Sequence, residues 1–393
     1  MRSARPVPPL LLGCGLMLVA FNLRPALSTV GPLLSAIRDE TGLGAAGAAL
    51  LTTLPVLCLG LACALMPVVL RRVGADLGVL LGLVVIAGGL ALRGAGGLAA
   101  LFSGTAIAAT GIGLANVLLP ALVKRDFPGR AGAMTGVYTM TLCLGAAAGA
   151  GLAVPIDAAL GHGWPAALAV WAAPALLAAA AWAPLVRAAP ERSAPPAPVS
   201  LLRDRVAWQV TAFMGLQSSL AYVLFGWLPL VLQGRGLSAL DAGLVASVTT
   251  LHQAPGALLV AMLASRVPDQ RGWIVAVLLA TLAGFLALAF GPAPLCIPAA
   301  GLLGLGIGGC FGLALSLIVL RTRDPASAAG LSAMAQGIGY ALAALGPLGF
   351  GLAHEATGGW GLPAGLFAAI VAAAGAAGLG AGRDRAVGQP HEA

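Results

Sequence analysis

Residues 111–134 read GIGLANVLLPALVKRDFPGRAGAM, and residues 306–334 read GIGGCFGLALSLIVLRTRDPASAAGLSAM. Both open on Gly-Ile-Gly inside an apolar run, reach an Arg-Asp pair with a proline close behind, and restart on Ala-Met. The glycines lie 195 residues apart, Arg125-Asp126 stands against Arg323-Asp324, and Ala133-Met134 precedes Ala333-Met334 by 200 residues. Thr52-Thr53-Leu54 also returns, as Thr249-Thr250-Leu251, 197 residues later. One such match carries little in a chain so rich in Gly and Ala. Four in order, at nearly constant offset, imply a duplicated unit. An apolar run closed by a basic loop is the pattern of a membrane segment and its cytoplasmic end, so the duplicated unit is a set of membrane helices.

The rest of the chain has the same character. Of 393 residues 60% are hydrophobic and only 9% charged, with a mean hydropathy of +0.98. A soluble protein carries about a quarter charged residues, so an aqueous fold is excluded. No alternation in runs of roughly ten residues marks a β-barrel. Twelve apolar segments stand out: 9–32, 45–70, 77–93, 97–123, 132–155, 165–186, 208–233, 242–265, 273–291, 296–320, 329–353 and 363–381. Each approaches or exceeds the ~20 residues needed to cross the hydrocarbon core. The expected fold is therefore all-α, a polytopic membrane protein with about 12 transmembrane helices in two pseudo-symmetric six-helix bundles. Residues 187–207, RAAPERSAPPAPVSLLRDRVA, are Pro-rich and charged and read as a cytoplasmic linker. It separates an N-terminal half, 1–186, from a C-terminal half, 208–393.

The net charge of +8 could suggest nucleic acid, but its placement points to a lipid bilayer. With the N-terminus in the cytoplasm, 17 of the 21 Lys and Arg fall in cytoplasmic loops or tails, as the positive-inside rule requires. Arg38, Arg93 and Arg235 fall near the outer side. No cleavage site follows the first apolar run, so Arg2 and Arg5 read as the flank of an uncleaved first segment. A multi-pass protein of a bacterial-type cytoplasmic (inner) membrane follows, with both termini cytoplasmic. The six cysteines, Cys14, Cys58, Cys63, Cys143, Cys296 and Cys310, lie singly in apolar runs, and their spacing matches no disulfide framework or zinc site. Neither a metal nor a cofactor is expected. Four scattered histidines (His162, His252, His354, His391) argue against a membrane-embedded enzyme, and no P-loop marks a primary pump. A membrane sensor is the less favoured non-transport reading, since no signalling domain is attached.

One charge resists this sorting. Arg24 sits well inside the first apolar segment, in Phe21-Asn22-Leu23-Arg24-Pro25. A guanidinium at such depth costs a few kcal/mol on insertion scales and cannot escape by losing its proton. Pro25 disfavours helical geometry at Arg24 and removes a backbone donor. A broken helix with an arginine at the break is one way a single segment builds a binding site.

Asn22-Leu23-Arg24-Pro25-Ala26, Val30-Gly31-Pro32-Leu33-Leu34 and Ile37-Arg38, together with Leu50-Leu51-Thr52-Thr53-Leu54-Pro55-Val56-Leu57, carry a further resemblance. On these stretches the chain resembles the cyanate permease branch (the CynX/NimT type) of the major facilitator superfamily of transporters, over essentially its whole length. The resemblance implies secondary transport by alternating access of two halves, with cyanate, or nitroimidazole-type compounds for export, as precedents. One departure is visible. The superfamily's Gly-x-x-x-Asp-Arg-x-Gly loop between segments two and three has Arg71 where Asp is expected, leaving Arg72 and Gly74 as the remaining latch candidates.

The polar residues inside segments give the candidate solute site. Arg24 and Asn22 come from the first segment, Tyr138 from the fifth, and Gln217 and Tyr222 from the seventh. His252 and Gln253 follow in the eighth, Gln336 and Tyr340 in the eleventh. Thr249, His252 and Gln253 share one helix face, and His252, able to carry a proton near neutral pH, is the proton-coupling candidate. Interhelical hydrogen bonding competes with a solute role for each of these. No Asp or Glu falls inside a segment, so the site is expected to be neutral to positive. That favours a small anionic or polar solute, with protons as a coupling partner and the protein acting as a monomer. Export of neutral heteroaromatic or drug-like compounds is the alternative. Gly145 and Gly149 form a small-residue face suited to close helix approach, and Trp164, Trp208, Trp273 and Trp360 read as interfacial anchors.

Overall fold

A helix in apolar surroundings satisfies every backbone group within itself, and the chain uses that solution throughout. The computed structural model describes residues 8–161, 163–186 and 201–388. His162, His391 and most of the expected linker, 187–200, lie outside the described residues. Among the described residues there is no strand. The helices run in order α1 (Pro9–Asn22), α2 (Pro25–Ser28), α3 (Val30–Thr41), α4 (Ala45–Arg93), α5 (Gly97–Asp126) and α6 (Ala131–Ala159). They continue as α7 (Trp164–Ala169), α8 (Ala172–Trp182), α9 (Arg205–Gln233), α10 (Ala239–Ala264) and α11 (Arg271–Phe290). The last four are α12 (Cys296–Leu320), α13 (Pro325–Ala343), α14 (Leu345–Thr357) and α15 (Gly361–Ala381). Among the described residues eleven helical stretches are long and apolar enough to cross a membrane, and the second segment adds the shorter apolar helix Thr53–Ala62.

The departures from one segment, one helix have local causes. The first segment breaks at Leu23-Arg24, just ahead of Pro25, into α1, α2 and α3. The second and third segments run together as α4, whose helical geometry fails at Gly74 (φ 77°, ψ 175°). Only glycine takes that backbone conformation at no steric cost. The eleventh segment is split between α13 and α14 at Ala344, three residues before Pro347, and the sixth between α7 and α8. Asp204, Ser238 and Asp324 cap α9, α10 and α13 by accepting from the backbone amides of Ala207, Asp241 and Ser327, filling donors that helix starts leave open.

The repeated Gly-Ile-Gly now acquires a packing reason. A methyl group placed on Gly111 would stand 2.6 Å from the Gly82 carbonyl, and one on Gly306 would stand 2.5 Å from Thr281 Oγ1. Placed on Gly113 it would meet the Leu59 carbonyl at 3.0 Å, and on Gly308 the Gln253 carbonyl at 2.0 Å. In each half, then, one glycine admits the third segment of the unit and the other admits the second. The duplication seen in sequence is a duplication of backbone contacts. Gly89 continues the stripe, since a methyl there would stand 2.4 Å from the Ala108 amide and 2.6 Å from the Gly104 carbonyl. Small residues at such crossings let backbones touch, and in a membrane that packing is a main source of helix association.

Both ends of the described chain lie on one face. The start of α1 packs near Phe127 and Met134 through Gly13. Lys124 reaches Thr322, and Arg321 donates to the carbonyls of Ala381 and Gly382 at the end of α15. Arg125, Arg130, Arg266, Arg271 and Arg323 belong to the same face, called the basic face below. Of the four expected anchors, Trp208 is exposed and Trp273 and Trp360 are half-buried, but Trp164 is buried in the core at 1% exposure. Trp164 is a correction: it packs with Leu33, Leu101 and Leu168.

Gly89→Val should lower the thermal unfolding temperature of the detergent-solubilised protein by several degrees, a loss of about 2 kcal/mol or more. The obstruction is backbone and cannot rotate away, and an unchanged temperature would mean that α4 and α5 are not held at this crossing.

Candidate functional site

Arg24 owes its position to three neighbours. Arg24 is the residue that opens α2, its carbonyl accepting from the amides of Leu27 and Ser28 at 2.9 and 3.2 Å, while the Thr29 hydroxyl donates to the Pro25 carbonyl at 2.9 Å. The α6 stripe closes on this broken backbone. A methyl on Gly145 would stand 2.1 Å from the Phe21 carbonyl, and one on Gly149 would stand 2.8 Å from Pro25 Cα. From α4, Arg93 donates to the Ala26 carbonyl at 2.8 Å. Arg93 was expected near the outer side and is instead fully buried, because the helix carries it down against Gly104 before the chain turns at Gly94. Asp157, expected beyond a segment end, lies in the last turn of α6 and is 7% exposed. Arg24, half-buried at the break, is therefore not the only charge the segments hold away from water.

A cavity of ≈ 20 Å³ lies beside Arg24, lined among others by Gln217, Ser218, Tyr222, Gln253 and Phe311. It thus draws on the first, seventh, eighth and tenth segments, and on the fifth through Cys143. The guanidinium carbon sits 4.7 Å above the centre of the Phe311 ring, a cation–π arrangement worth about 2 kcal/mol when desolvated. Tyr222 lines the same cavity. The Gln217 amide is oriented by its donations to the Met214 carbonyl at 3.1 Å and to Ser218 Oγ at 2.8 Å. Its Oε1 is buried with no partner. No carboxylate lines the cavity. The lining residues carry several N–H donors, one buried amide oxygen without a partner and flat aromatic walls.

Four of the nine expected residues meet there: Arg24, Gln217, Tyr222 and Gln253. Tyr340 lies one layer away, its ring edge-on to Tyr222 at 6.4 Å. Gln336 and Tyr340 are engaged with Asn116 of α5, whose Nδ2 donates to Gln336 Oε1 at 2.6 Å and to the Tyr340 hydroxyl at 3.2 Å. Gln336 Nε2 donates in turn to Ser332 Oγ at 2.6 Å. These side chains bridge the two halves and do not line the cavity. Tyr138 is fully buried, its hydroxyl without a partner. Asn22 folds back to the Leu18 carbonyl at 2.9 Å. His252 lies outside the lining as well: its Nδ1 pairs with the Val248 carbonyl at 2.8 Å, its ring lies beside Gly301 and its Cβ beside Gly304 of α12. Phe311 and Phe225 are cavity residues that the search for polar groups passed over. The repeat held a signal for Phe311, since the offset of 195 sets it opposite Asn116.

Toward the basic face the halves are tied again. Lys124 Nζ donates to the Val319 carbonyl at 2.8 Å, to the Thr322 carbonyl and to Thr322 Oγ1 at 3.2 Å. An ammonium on the closing carbonyls of α12 is favourably placed against that helix dipole. Asp324 stands nearby. Burial alone would raise its carboxyl, but the Ser327 hydroxyl and amide, the Ala326 amide and Lys124 hold it below the ordinary carboxylate range. The acid missing at position 71 is supplied farther along. Asp76 takes a bidentate pair from Arg125 at 3.0 and 2.8 Å, and its carbonyl accepts from Trp182 Nε1 at 2.9 Å. Arg125 also holds Asp126, so the turn after Gly74 is fastened to the fourth and sixth segments.

A family profile described as Major Facilitator Superfamily matches residues 16–344. The chain is 38% identical over 377 residues to the 2-nitroimidazole transporter of Escherichia coli (strain K12), covering 95% of each chain. It is 32% identical over 348 residues to the cyanate transport protein CynX of the same organism, covering 88% of this chain and 90% of that one. Among solved structures, a proton:xylose symporter, XylE, superposes with a TM-score of 0.79 at 12% identity, covering 96% of this chain and 97% of its own. At that identity the likeness is one of fold.

Lys124→Met should expose Cys143, the buried cavity thiol, to a small alkylating reagent about tenfold faster than in the wild type. Peptide mass spectrometry reads the rate, with exposed Cys14 as the internal control. Equal Cys143 rates would show that the Lys124 contacts do not hold the halves together.

Proposed function

Because the chain belongs to the Major Facilitator Superfamily, we propose that it is a secondary transporter whose solute binds at Arg24 between two halves that alternate in access. The observation that carries this is the guanidinium at the broken first segment, resting on Phe311 of the other half beside a cavity that both line. A volume of ≈ 20 Å³ is room for about one water. A solute therefore binds when Phe311 leaves the guanidinium and the walls part. The hydrogen bonds found between the halves, through Asn116 and Lys124, run from the middle of the bundle to the basic face. They support a state closed at that face.

The lining favours an anionic or polar solute. Arg24 is charged at every accessible pH, and it rests on an aromatic face in a cavity that no carboxylate lines. The two named relatives bracket the possibilities, a small anion in one and a nitro-substituted heteroaromatic in the other. Phe225, Phe311 and Tyr222 are the specific reason to keep the heteroaromatic reading beside the anionic one. Contact in the eighth segment is assigned to Gln253, which lines the cavity, rather than to His252, which retains only the proton-coupling role.

Orientation follows from charge. The basic face is cytoplasmic by the positive-inside rule, which puts both termini in the cytoplasm and the protein, as a monomer, in a bacterial-type inner membrane. The six helical segments on either side of the charged stretch 187–207 then form the moving halves.

Proteoliposomes loaded with cyanate or 2-nitroimidazole test the reading by counterflow. Arg24→Ala and Arg24→Lys should each cut solute exchange by at least about a hundredfold, since Lys lacks the planar donor fork, while inserting normally. Undiminished exchange in the Ala variant would remove Arg24 from the site. His252→Ala should shift the pH dependence of exchange, and a profile identical to that of the wild type would take proton coupling away from His252.

A further inference from the structure

We infer that the solute must bring a hydrogen-bond donor of its own, an N–H or O–H, to Gln217 Oε1, in addition to the acceptor edge it offers Arg24. This rests on the Arg24 cavity being the solute site and narrows the chemistry that the site accepts.

The argument starts from the orientation of one amide. Gln217 is fully buried on α9 and lines the cavity. Its Nε2 faces the Met214 carbonyl at 3.1 Å. A carbonyl only accepts, so the nitrogen must be the atom on that side and the oxygen must point the other way. Ser218 offers no help, because its Oγ already accepts from Nε2 at 2.8 Å and its own hydroxyl turns to Met214 Sδ at 3.9 Å. Gln217 Oε1 is left buried without a partner. Buried acceptors of this kind are uncommon in folded proteins and are explained by strain, a functional role or an unseen water or ligand.

The residues that line the cavity thus carry two complementary demands. Arg24 supplies donors and seeks an acceptor or an anion, and Gln217 supplies an acceptor and seeks a donor. Phe311 and Tyr222 flank them with flat faces. A planar solute carrying both functions satisfies the site: an aromatic oxyanion with a hydroxyl, or a nitro-heteroaromatic with a ring N–H. Cyanate meets Arg24 but has no donor, so it leaves the acceptor unpaired. Sites built around such a group reject the analogue that cannot pair with it far more strongly than apolar pockets reject a change of size.

Matched pairs that differ only in the donor provide the test: 2-nitroimidazole against 1-methyl-2-nitroimidazole, and 4-hydroxybenzoate against 4-methoxybenzoate. Binding to the purified full-length protein is measured by calorimetry. In the wild type the donor-bearing member of at least one pair should bind about ten- to a hundredfold more tightly. In Gln217→Met, which keeps the length and apolar bulk, that ratio should fall towards one, whereas Arg24→Met should weaken both members alike. Binding that depends on Arg24 with ratios near one in both pairs overturns the donor requirement and leaves the Arg24 site standing. A ratio retained in Gln217→Met also overturns it. If no probe's binding responds to Arg24→Met, the cavity is not the site, and the inference falls with the reading it rests on. The wild-type ratios decide the matter even if Gln217→Met does not fold.

Discussion

The constraint on which the rest of the structure depends is a guanidinium that cannot lose its charge, set where water is scarce. Its cost, a few kcal/mol at this depth, is offset by breaking the helix that carries it. The break turns carbonyls and hydroxyls toward one another around Pro25 and lets the cation lie on an aromatic ring from the opposite half. Everything nearby serves that break. Gly145 and Gly149 leave room for displaced backbone to approach α6, and Arg93 accepts burial to hold the Ala26 carbonyl. A side chain at either glycine would push directly on the segment that aims Arg24.

The same economy of space runs through both halves. Lipid tails are as apolar as leucine, so side-chain hydrophobicity alone does not bring two membrane helices together. Contact between backbones does. Gly111 and Gly306 receive the third segment of each half, and Gly113 and Gly308 the second. A motif only three residues long could be conspicuous in the sequence because both of its glycines face crowded backbone, on opposite sides of one helix.

What was legible in the sequence follows from this. The segments, their repetition and the break at Arg24 were written in hydropathy, glycine spacing and Pro25, all of them local signals. Arg93 and Asp157 were misplaced because each stands at the last turn of an apolar helix, where sequence marks an end but not whether a neighbour covers it. Trp164 fails for the same reason. Gln336 and Tyr340 could be set on one helix face from their spacing of four, but their partner Asn116 lies 220 and 224 residues away and no pattern links them. Arg71 marks the loss of the motif's acid, while the carboxylate that does form an ion pair in this turn, Asp76 with Arg125, stands beyond Gly74, outside the motif's spacing. Phe311 was overlooked because a search for polar groups ignores the ring on which a cation rests.

Placing the bridges along the bundle sets a condition on movement. Opening at the basic face must break the donations of Lys124 to the end of α12 and those of Asn116 to Gln336 and Tyr340. Donations from a charged group contribute about 1.5–3 kcal/mol each and neutral ones about 1, so the closed arrangement is favoured by several kcal/mol unless something replaces them. A ligand shifts such an equilibrium only by its difference in affinity for the two states. On the proposed reading, the solute binds the rearranged cavity better than the present one, which Phe311 partly fills, or the opposite face forms contacts of similar worth as it closes. Because Tyr340 belongs to the bridge and also abuts Tyr222 at the cavity wall, a solute that moves Tyr222 presses on a residue that helps hold the halves together. The bridge between the halves and the wall of the Arg24 cavity thus meet at one side chain.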